Sequence, residues 1–183
     1  MPVYRLSSNP LFPPVDEAGP EGLLAVGGDL SEERLLEAYR NGIFPWYSER
    51  DPILWWAPDP RLVLFPDKFR VSHSLKRVLK KGVYRITCDS DFPAVIARCA
   101  RIRRPGQRDT WITAGMREAY CRLHKVGYAH SVEAWDAGGH LAGGLYGLSL
   151  GRAFFGESMF SEKADASNAA LAALVEFAKV HGF

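Results

Sequence analysis

The chain has 183 residues, of which 47% are hydrophobic and 24% charged, and its formal net charge is +2. These values are typical of a globular protein and exclude a disordered chain. No stretch approaches the roughly 20 apolar residues of a membrane span, and no signal peptide opens the sequence. The three cysteines form an odd set, which favours reduced thiols. Together these features predict a cytoplasmic protein without a membrane partner.

Hydrophobic periodicity and capping signals predict helices and strands along the whole chain. The first helix begins after the N-cap signal Ser31 and stops at Gly42. Two tryptophan-rich, proline-broken segments follow, which predict loops or edge strands, at residues 43–47 and 54–58. The remaining predicted helices span 72–81, 91–99, 114–126 and 166–180, a basic loop spans 101–109, and the remaining strands span 62–65, 84–88, 131–135, 140–148 and 152–160. A break near 63–71 divides the chain into a small N-terminal domain, 1–65, and a second domain, 66–183.

A run of cations marks the helix predicted over residues 72–81. Lys76, Arg77, Lys80 and Lys81 share one side of this helix, and no acidic residue lies within it. This pattern suits a nucleic acid phosphate backbone, and it is also typical of a solvated lysine face. A second basic cluster, which includes Arg103, Arg104 and Arg108, favours the nucleic acid interpretation.

Aromatic residues are numerous, and most of them belong to a core in an average protein. Trp46 lies in a proline-broken segment and Trp111 lies in the sequence Thr-Trp-Ile-Thr, so these two are candidates for stacking on a nucleobase or lining an apolar ligand. The glycines at 143, 144, 147 and 151 lack the spacing of a dinucleotide-binding loop. They indicate either hairpin turns or close approach of a ligand to the backbone.

Glu157 interrupts an otherwise apolar strand and is a candidate for binding a cation or accepting a proton. The alternative is a glutamate on the solvent side of a half-buried strand. Strict alternation puts Phe154 and Glu157 on opposite faces. Both can face one site only if the strand is bulged, and Gly156 is the natural position for a bulge. The five histidines lack metal-ligand spacing and no P-loop is present, so we expect no metal and no cofactor.

Read together, several segments resemble the leucyl/phenylalanyl-tRNA–protein transferase family, in the family's order and over nearly the whole chain. These segments are residues 22–31 (GLLAVGGDLS), 42–46 (GIFPW), 51–61 (DPILWWAPDPR), 110–113 (TWIT), 119–120 with 123–124 (AY, LH), 143–147 (GGLYG) and 156–161 (GESMFS). Each string alone is weak, but the joint match is highly specific.

The resemblance implies an α+β fold, in which a small N-terminal domain precedes a GNAT-like acyltransferase domain with a mostly antiparallel sheet and flanking helices. The family continues past the His-Gly segment into a strand carrying Asp-x-Gln, to which catalysis is assigned. This chain ends at Phe183, so we expect the C-terminal part of the sheet to be missing.

The resemblance also implies the activity. Members move Leu or Phe, and Met less well, from tRNA to proteins that begin with Arg or Lys, which marks those proteins for N-degron proteolysis. By position, the implied catalytic residue is Glu157. The residues implied to bind aminoacyl-adenosine are Trp46, Trp111, Leu145, Phe154, Met159, Leu171 and Leu174. Those implied to contact tRNA are Lys76, Arg77, Lys80 and Lys81. We expect these groups to surround one cavity in a monomer.

Two other functions are compatible with these segments. An acetyl-CoA-dependent acyltransferase would need backbone amides for a pyrophosphate before the last helix, and residues 160–168 contain no Gly-x-Gly. A non-catalytic RNA-binding module is the third interpretation.

Overall fold

The computed structural model of the chain describes residues 3–102 and 110–183. Within these residues the fold is mixed α+β, with two four-stranded sheets and five α-helices. Internal contacts divide the described residues into a first unit, 3–62 with 110–122, and a second unit, 63–102 with 123–183. Most of the basic loop predicted over 101–109 lies outside the described residues. The domain boundary at residue 65 and the GNAT-like topology stay predictions.

The first unit contains a small mixed sheet with the strand order β1-β2-β4-β3. Its elements are β1 (Tyr4–Leu6), β2 (Leu23–Gly27), α1 (Glu32–Arg40), β3 (Phe44–Pro45) and β4 (Leu54–Trp56). β3 is the edge strand that the prolines predicted, but the prediction for 54–58 is wrong in part because β4 pairs with β2 on one side and β3 on the other. The buried Trp55 indole donates to the Gly27 carbonyl at 2.9 Å, so this tryptophan belongs to the core.

The helix α1 begins and ends where its capping residues predicted. The Ser31 hydroxyl accepts a hydrogen bond from the Arg34 backbone N–H, which satisfies one of the donors that a helix N-terminus leaves open. At the other end, Gly42 adopts a φ of +74°, a left-handed conformation that glycine reaches without steric cost. Leu35 and Tyr39 lie buried on the predicted apolar face.

The second unit contains a four-stranded antiparallel sheet with the strand order β5-β6-β7-β8. Its elements are α2 (His73–Lys80), β5 (Arg85–Cys88), α3 (Phe92–Arg101), β6 (Ala129–Trp135), β7 (Leu141–Leu150), β8 (Ala153–Ser161) and α5 (Ala166–His181). The helix α4 (Ala114–Lys125) continues from the first unit into the second. These helices and strands confirm those predicted from residue 72 onwards, within a few residues at each end.

The helices α5 and α3 cover opposite faces of this sheet. Leu145 of β7 packs with Ala166 and Ala170 of α5, whereas the adjacent Gly144 lies next to Val95 of α3. Since successive residues of a strand point to opposite faces, the two helices sandwich the central strands. The cluster between this sheet and α5 contains five of the twelve predicted site residues.

The strand predicted over residues 62–65 is absent, and this prediction is wrong. The segment has no regular structure in the described chain, and its four apolar side chains are all exposed. Four consecutive apolar residues do not alternate between two faces, so they do not identify a strand that is covered on one side. A strand also needs a neighbour with which to exchange backbone hydrogen bonds, and the described residues supply none here.

Candidate functional site

Five of the predicted site residues gather on the α5 face of the second sheet. We call them the apolar wall, and its members are Leu145, Phe154, Met159, Leu171 and Leu174. Leu145 is 4% exposed and belongs to the buried core, whereas the other four are partly buried and pack against that core. The wall therefore combines one fully packed residue, Leu145, with four side chains that retain accessible apolar surface.

A β-bulge in β8 creates this arrangement. Tyr146 pairs with Ser158, whereas the next residue of β7, Gly147, pairs with Gly156, so β8 contains one extra residue at Glu157. Phe154 and Met159 are five positions apart and would occupy opposite faces of a regular strand. Because the bulge adds one residue to β8, Phe154 and Met159 both lie on the face that carries Leu145. The bulge predicted at Gly156 is therefore confirmed.

Glu157 is the extra residue of this bulge. A bulge residue leaves the regular ladder and is often used to redirect a side chain at a functional site. Its side chain is partly buried, and the neighbouring Gly156 is exposed. In sequence the bulge lies between the wall residues Phe154 and Met159 of the same strand.

Two glycines of β7 allow close packing on the α5 face. A Cβ atom added at Gly143 would lie 2.6 Å from the Ala166 Cβ, so α5 begins directly against the strand. At Gly147 an added Cβ would lie 2.6 Å from Cε1 of Phe154, so the phenylalanine ring lies against the backbone. Gly151, by contrast, has a φ of +59° and forms the turn between β7 and β8. Gly151 therefore confirms the hairpin-turn interpretation, whereas Gly143 and Gly147 allow close packing of the protein's own atoms.

Trp46 and Trp111 both belong to the first unit. Trp46 is 45% exposed, and its ring contacts Trp56 edge-on at a centroid distance of 5.8 Å. Residues close to these tryptophans in sequence approach each other, because the Tyr47 and Thr113 hydroxyl oxygens are 3.4 Å apart. The exposed ring of Trp46 and the partly buried ring of Trp111 leave aromatic surface for stacking.

The basic face of α2 is exposed along its whole length. Lys76, Arg77, Lys80 and Lys81 are all exposed, whereas Leu75 is buried and packs with Ala169 and Ala172 of α5. The helix begins after Ser72, whose hydroxyl accepts a hydrogen bond from the Leu75 N–H at 3.2 Å. Packing the apolar side onto α5 therefore presents the cationic side to solvent.

A buried carboxylate at Glu133 was not among the residues predicted from the sequence. This side chain is fully buried in β6, and it accepts hydrogen bonds from the Thr87 hydroxyl at 2.6 Å and the Ser131 hydroxyl at 2.5 Å. Its oxygens also approach the N-terminus of α3, where the helix dipole favours negative charge. A glutamate within an apolar strand was the signal that singled out Glu157, and the same signal applies to Glu133. Burial, together with the carboxylates of Glu133 and Asp89, raises the pKa of the nearby Cys88 thiol.

An aspartate–histidine pair follows the end of β5 and was also missed. The His130 Nδ1 atom is 2.8 Å from Asp89 Oδ2, and the Ser131 backbone N–H donates to Asp89 Oδ1 at 2.8 Å. Asp89 has a φ of +54°, an uncommon conformation for a residue with a side chain. His124 Nδ1 lies 3.8 Å from the same carboxylate, and the His124 ring stacks on Phe92. The pair is 41 residues apart in sequence, so no local motif reveals it.

An ion pair joins the turn between β6 and β7 to the segment that connects β8 with α5. Lys163 Nζ lies 2.5 Å from Asp136 Oδ2, and the backbone N–H groups of Gly138 and His140 donate to Asp136 Oδ1. The hydrogen bond from Lys163 is the main reason that the pKa of the Asp136 carboxyl is held well below its usual range. The same contact raises the pKa of Lys163.

Neither a metal-binding group nor a membrane segment is found within residues 3–102 and 110–183. No set of three or more His, Cys, Asp or Glu side chains in this part of the chain could hold a metal ion. None of the helices there is long and apolar enough to cross a membrane.

Comparisons with known proteins identify relatives over both units. A family model described as leucyl/phenylalanyl-tRNA protein transferase matches residues 63–183, and a model of that family's N-terminal domain matches residues 28–59. Proteins named leucyl/phenylalanyl-tRNA–protein transferase are similar over the full chain. The relative from Syntrophobacter fumaroxidans is 60% identical over 183 residues, which are 100% of this chain and 78% of the relative. Those from Maridesulfovibrio salexigens and Anaeromyxobacter dehalogenans are each 58% identical over 100% of this chain, and over 76% and 78% of their own lengths.

The α+β fold and these matches define the chain as an enzyme of the transferase class. Specifically, it belongs to the leucyl/phenylalanyl-tRNA protein transferase family.

Proposed function

We propose that this chain transfers leucine or phenylalanine, and methionine more weakly, from aminoacyl-tRNA to proteins that begin with arginine or lysine. The product carries a new peptide bond and a new apolar N-terminal residue. We propose that this residue marks the protein for N-degron proteolysis, and that the enzyme acts in the cytoplasm as a monomer. The names of the relatives support aminoacyl transfer from tRNA to protein.

The apolar wall is the observation that carries this proposal. A donor side chain such as leucine or phenylalanine gains free energy when it leaves water for an apolar surface. Phe154, Met159, Leu171 and Leu174 are only partly buried, so they offer such a surface above the buried Leu145. Methionine is flexible and fills irregular space, which suits a wall that accepts both an aliphatic and an aromatic side chain.

The reaction needs alignment more than activation. The neutral α-amine of the acceptor attacks the carbonyl carbon of the aminoacyl ester, the bond from that carbon to the ribose oxygen breaks, and a proton passes from the amine to the leaving oxygen. An α-amine has an ordinary pKa near ~7.7–8.0, so a useful fraction is neutral at physiological pH. Holding the two reactants in line supplies several kcal/mol of the barrier reduction.

Glu157 supports a cationic acceptor. Glu157 is the bulge residue of the strand that carries the wall residues Phe154 and Met159, and an ionised carboxylate attracts the side chain of an N-terminal arginine or lysine. We therefore assign Glu157 to acceptor binding and to orientation of the attacking amine. A Glu157→Gln variant should raise the KM for the acceptor peptide more than the KM for aminoacyl-tRNA.

The tRNA is proposed to bind through two kinds of contact. The exposed cations of α2 suit the phosphate backbone, whose binding is largely independent of sequence. The rings of Trp46 and Trp111 suit stacking on the terminal adenosine, because aromatic side chains stack readily on unpaired bases. Substituting either tryptophan with alanine should weaken transfer without altering the salt dependence of tRNA binding.

Selectivity among donors should be moderate. A donor branched at Cβ, such as isoleucine or valine, would bring its branch close to the reacting ester and would fit the wall less well. Shape alone discriminates by only about 1–3 kcal/mol for a change the size of a methyl group. We therefore expect poor donors to react slowly and measurably.

Transfer of labelled leucine from tRNA to a peptide that begins with arginine tests the proposal. The matched control is the same peptide with an acetylated α-amine, which lacks the nucleophile and should accept no label. A protein that transfers acetyl from acetyl-CoA and leaves aminoacyl-tRNA unchanged would be an acetyltransferase instead. A protein that binds tRNA with no transfer to any peptide would be an RNA-binding module, and either result rejects the proposed activity.

A further inference from the structure

A second polar group lies on the same sheet face as the apolar wall. His130 of β6 pairs with Gly147 of β7, and Gly147 pairs with Gly156 of β8. These three residues form a row across the sheet that ends beside Glu157. Val132 belongs to the cluster under α5, and alternate residues of a strand share a face, so the His130 Cβ lies on that face too.

The middle residue of this row, Gly147, is a glycine, so no side chain from β7 rises above the sheet there. Gly147 has no side chain, and the ring of Phe154 occupies the space directly above it. Adjacent strands lie about 4.8 Å apart, so the His130 backbone lies one strand spacing from Gly147 and roughly two from Gly156. In the strand register, Gly147 and the Phe154 ring above it thus lie between His130 and the bulge that contains Glu157.

The imidazole of His130 is held in one orientation. A carboxylate only accepts hydrogen bonds, so the 2.8 Å contact with Asp89 requires the proton to be on Nδ1 of His130. This leaves Nε2 as the ring nitrogen that can bind a ligand. Asp89 is itself fixed by the Ser131 backbone N–H, and the side chain of His130 remains 36% exposed. An imidazole that is already oriented by a hydrogen bond and remains accessible is typical of a binding residue, because little further side-chain entropy is lost when a ligand binds.

We propose that His130 is a further substrate-binding residue, whose Nε2 accepts a hydrogen bond from the polar end of the bound substrates. This inference rests on the proposed function. The shared chemistry is an N–H or O–H donor, and two donors are available near the wall. One is the α-amine of the acceptor, and the other is a hydroxyl of the terminal ribose. Asp89 acts through His130 and is a positioning residue.

Two substitutions separate binding from a structural role. In His130→Asn the side-chain amide can still donate to Asp89 from near the Nδ1 position, but nothing replaces Nε2. In His130→Gln the amide reaches the Nε2 position. The matched control is His140→Gln, because His140 is an exposed histidine in the turn between β6 and β7 that also lies near an aspartate, with its Nδ1 3.4 Å from Asp136 Oδ1.

The measurements are the KM of the acceptor peptide, the KM of aminoacyl-tRNA, and the dissociation constant of an amide-linked phenylalanyl-adenosine from calorimetry. We expect His130→Asn to raise one of these by about tenfold, the scale of one hydrogen bond to a substrate. A rise for the peptide identifies the amine as the partner, and a rise for tRNA and the adenosine compound identifies the ribose. In His130→Gln the affected constant should stay within about threefold of wild type. In Asp89→Asn it should lie between the values of the two His130 variants, and in His140→Gln it should equal the wild-type value.

Unchanged constants in a folded His130→Asn protein would overturn the inference and leave the proposed function intact. If that variant does not fold, unchanged constants in Asp89→Asn overturn it in the same way. Wild-type protein that binds the adenosine compound but transfers no amino acid would reject the proposed activity, while calorimetry of both the adenosine compound and the acceptor peptide still tests His130.

Discussion

Neutralising the basic face of α2 should lower both the affinity for tRNA and its dependence on salt. The perturbation is the quadruple variant K76Q/R77Q/K80Q/K81Q. All four side chains are exposed and the buried contact of the helix is made by Leu75, so the substitution leaves the packing onto α5 untouched. Glutamine is also a good helix former, so the helix itself should persist.

The magnitude follows from counterion release. Each cation that neutralises a phosphate contributes roughly 0.7–0.9 to the slope of log affinity against log salt. Four contacts on α2 therefore account for a slope of roughly 3. A fourfold rise in salt concentration should then lower the tRNA affinity of the wild-type protein by roughly 60-fold more than that of the variant.

The assay is tRNA binding measured by fluorescence anisotropy over a fourfold range of salt. A variant with the same loss of charge, R5Q/R40Q/K125Q/K179Q, is the control, because these four exposed cations lie on four different elements. The control should retain the wild-type slope within about one unit. Equal slopes for wild type and the α2 variant would refute the assignment of this helix to tRNA. Equal reductions in both variants would show that only net charge matters.

Other substitutions test the packing and electrostatics of the second unit. Gly147→Ala should lower the free energy of unfolding by about 3 kcal/mol, because the new Cβ would lie 2.2 Å from the Phe155 carbonyl oxygen. Gly156→Ala meets nothing within 4 Å, so its chemical denaturation midpoint should stay near wild type, and similar losses in both variants would contradict the close packing. Asp136→Asn should destabilise the protein at neutral pH. The folded-state pKa of Asp136 is lowered, so its stabilising effect is present above the unfolded value of about 4 and fades as pH falls towards the folded value. Wild-type and variant melting temperatures should therefore converge in acid, and a constant gap would show that the contact with Lys163 is not the cause.

Local signals in the sequence predicted the helices well. The cap at Ser31 identified where α1 begins, because capping depends on residues within one turn of the helix. The strand expected over residues 62–65 failed for the opposite reason, since a strand exists only with a partner elsewhere in the chain. The interior position of β4 was missed on the same ground, because its pairing with β2 joins segments that are distant in sequence.

The candidate site was predictable only in part. The bulge could be anticipated, since Phe154 and Glu157 cannot share a face of a regular strand. The pairing of His130 with Asp89 and the burial of Glu133 could not, because each depends on the register between β5 and β6. Charged residues in strands therefore need a cross-strand partner before their role can be inferred.

The most direct test of the account is to find where the donor side chain binds. A tRNA charged with a diazirine analogue of leucine, irradiated in complex with the enzyme, would mark the residues that surround that side chain. We expect cross-links at Phe154, Met159, Leu171 and Leu174, which line the α5 face of the second sheet. Cross-links concentrated elsewhere in the second unit, such as the hollow between α2 and β5 at Val78 and Leu79, would contradict the apolar wall as the donor site.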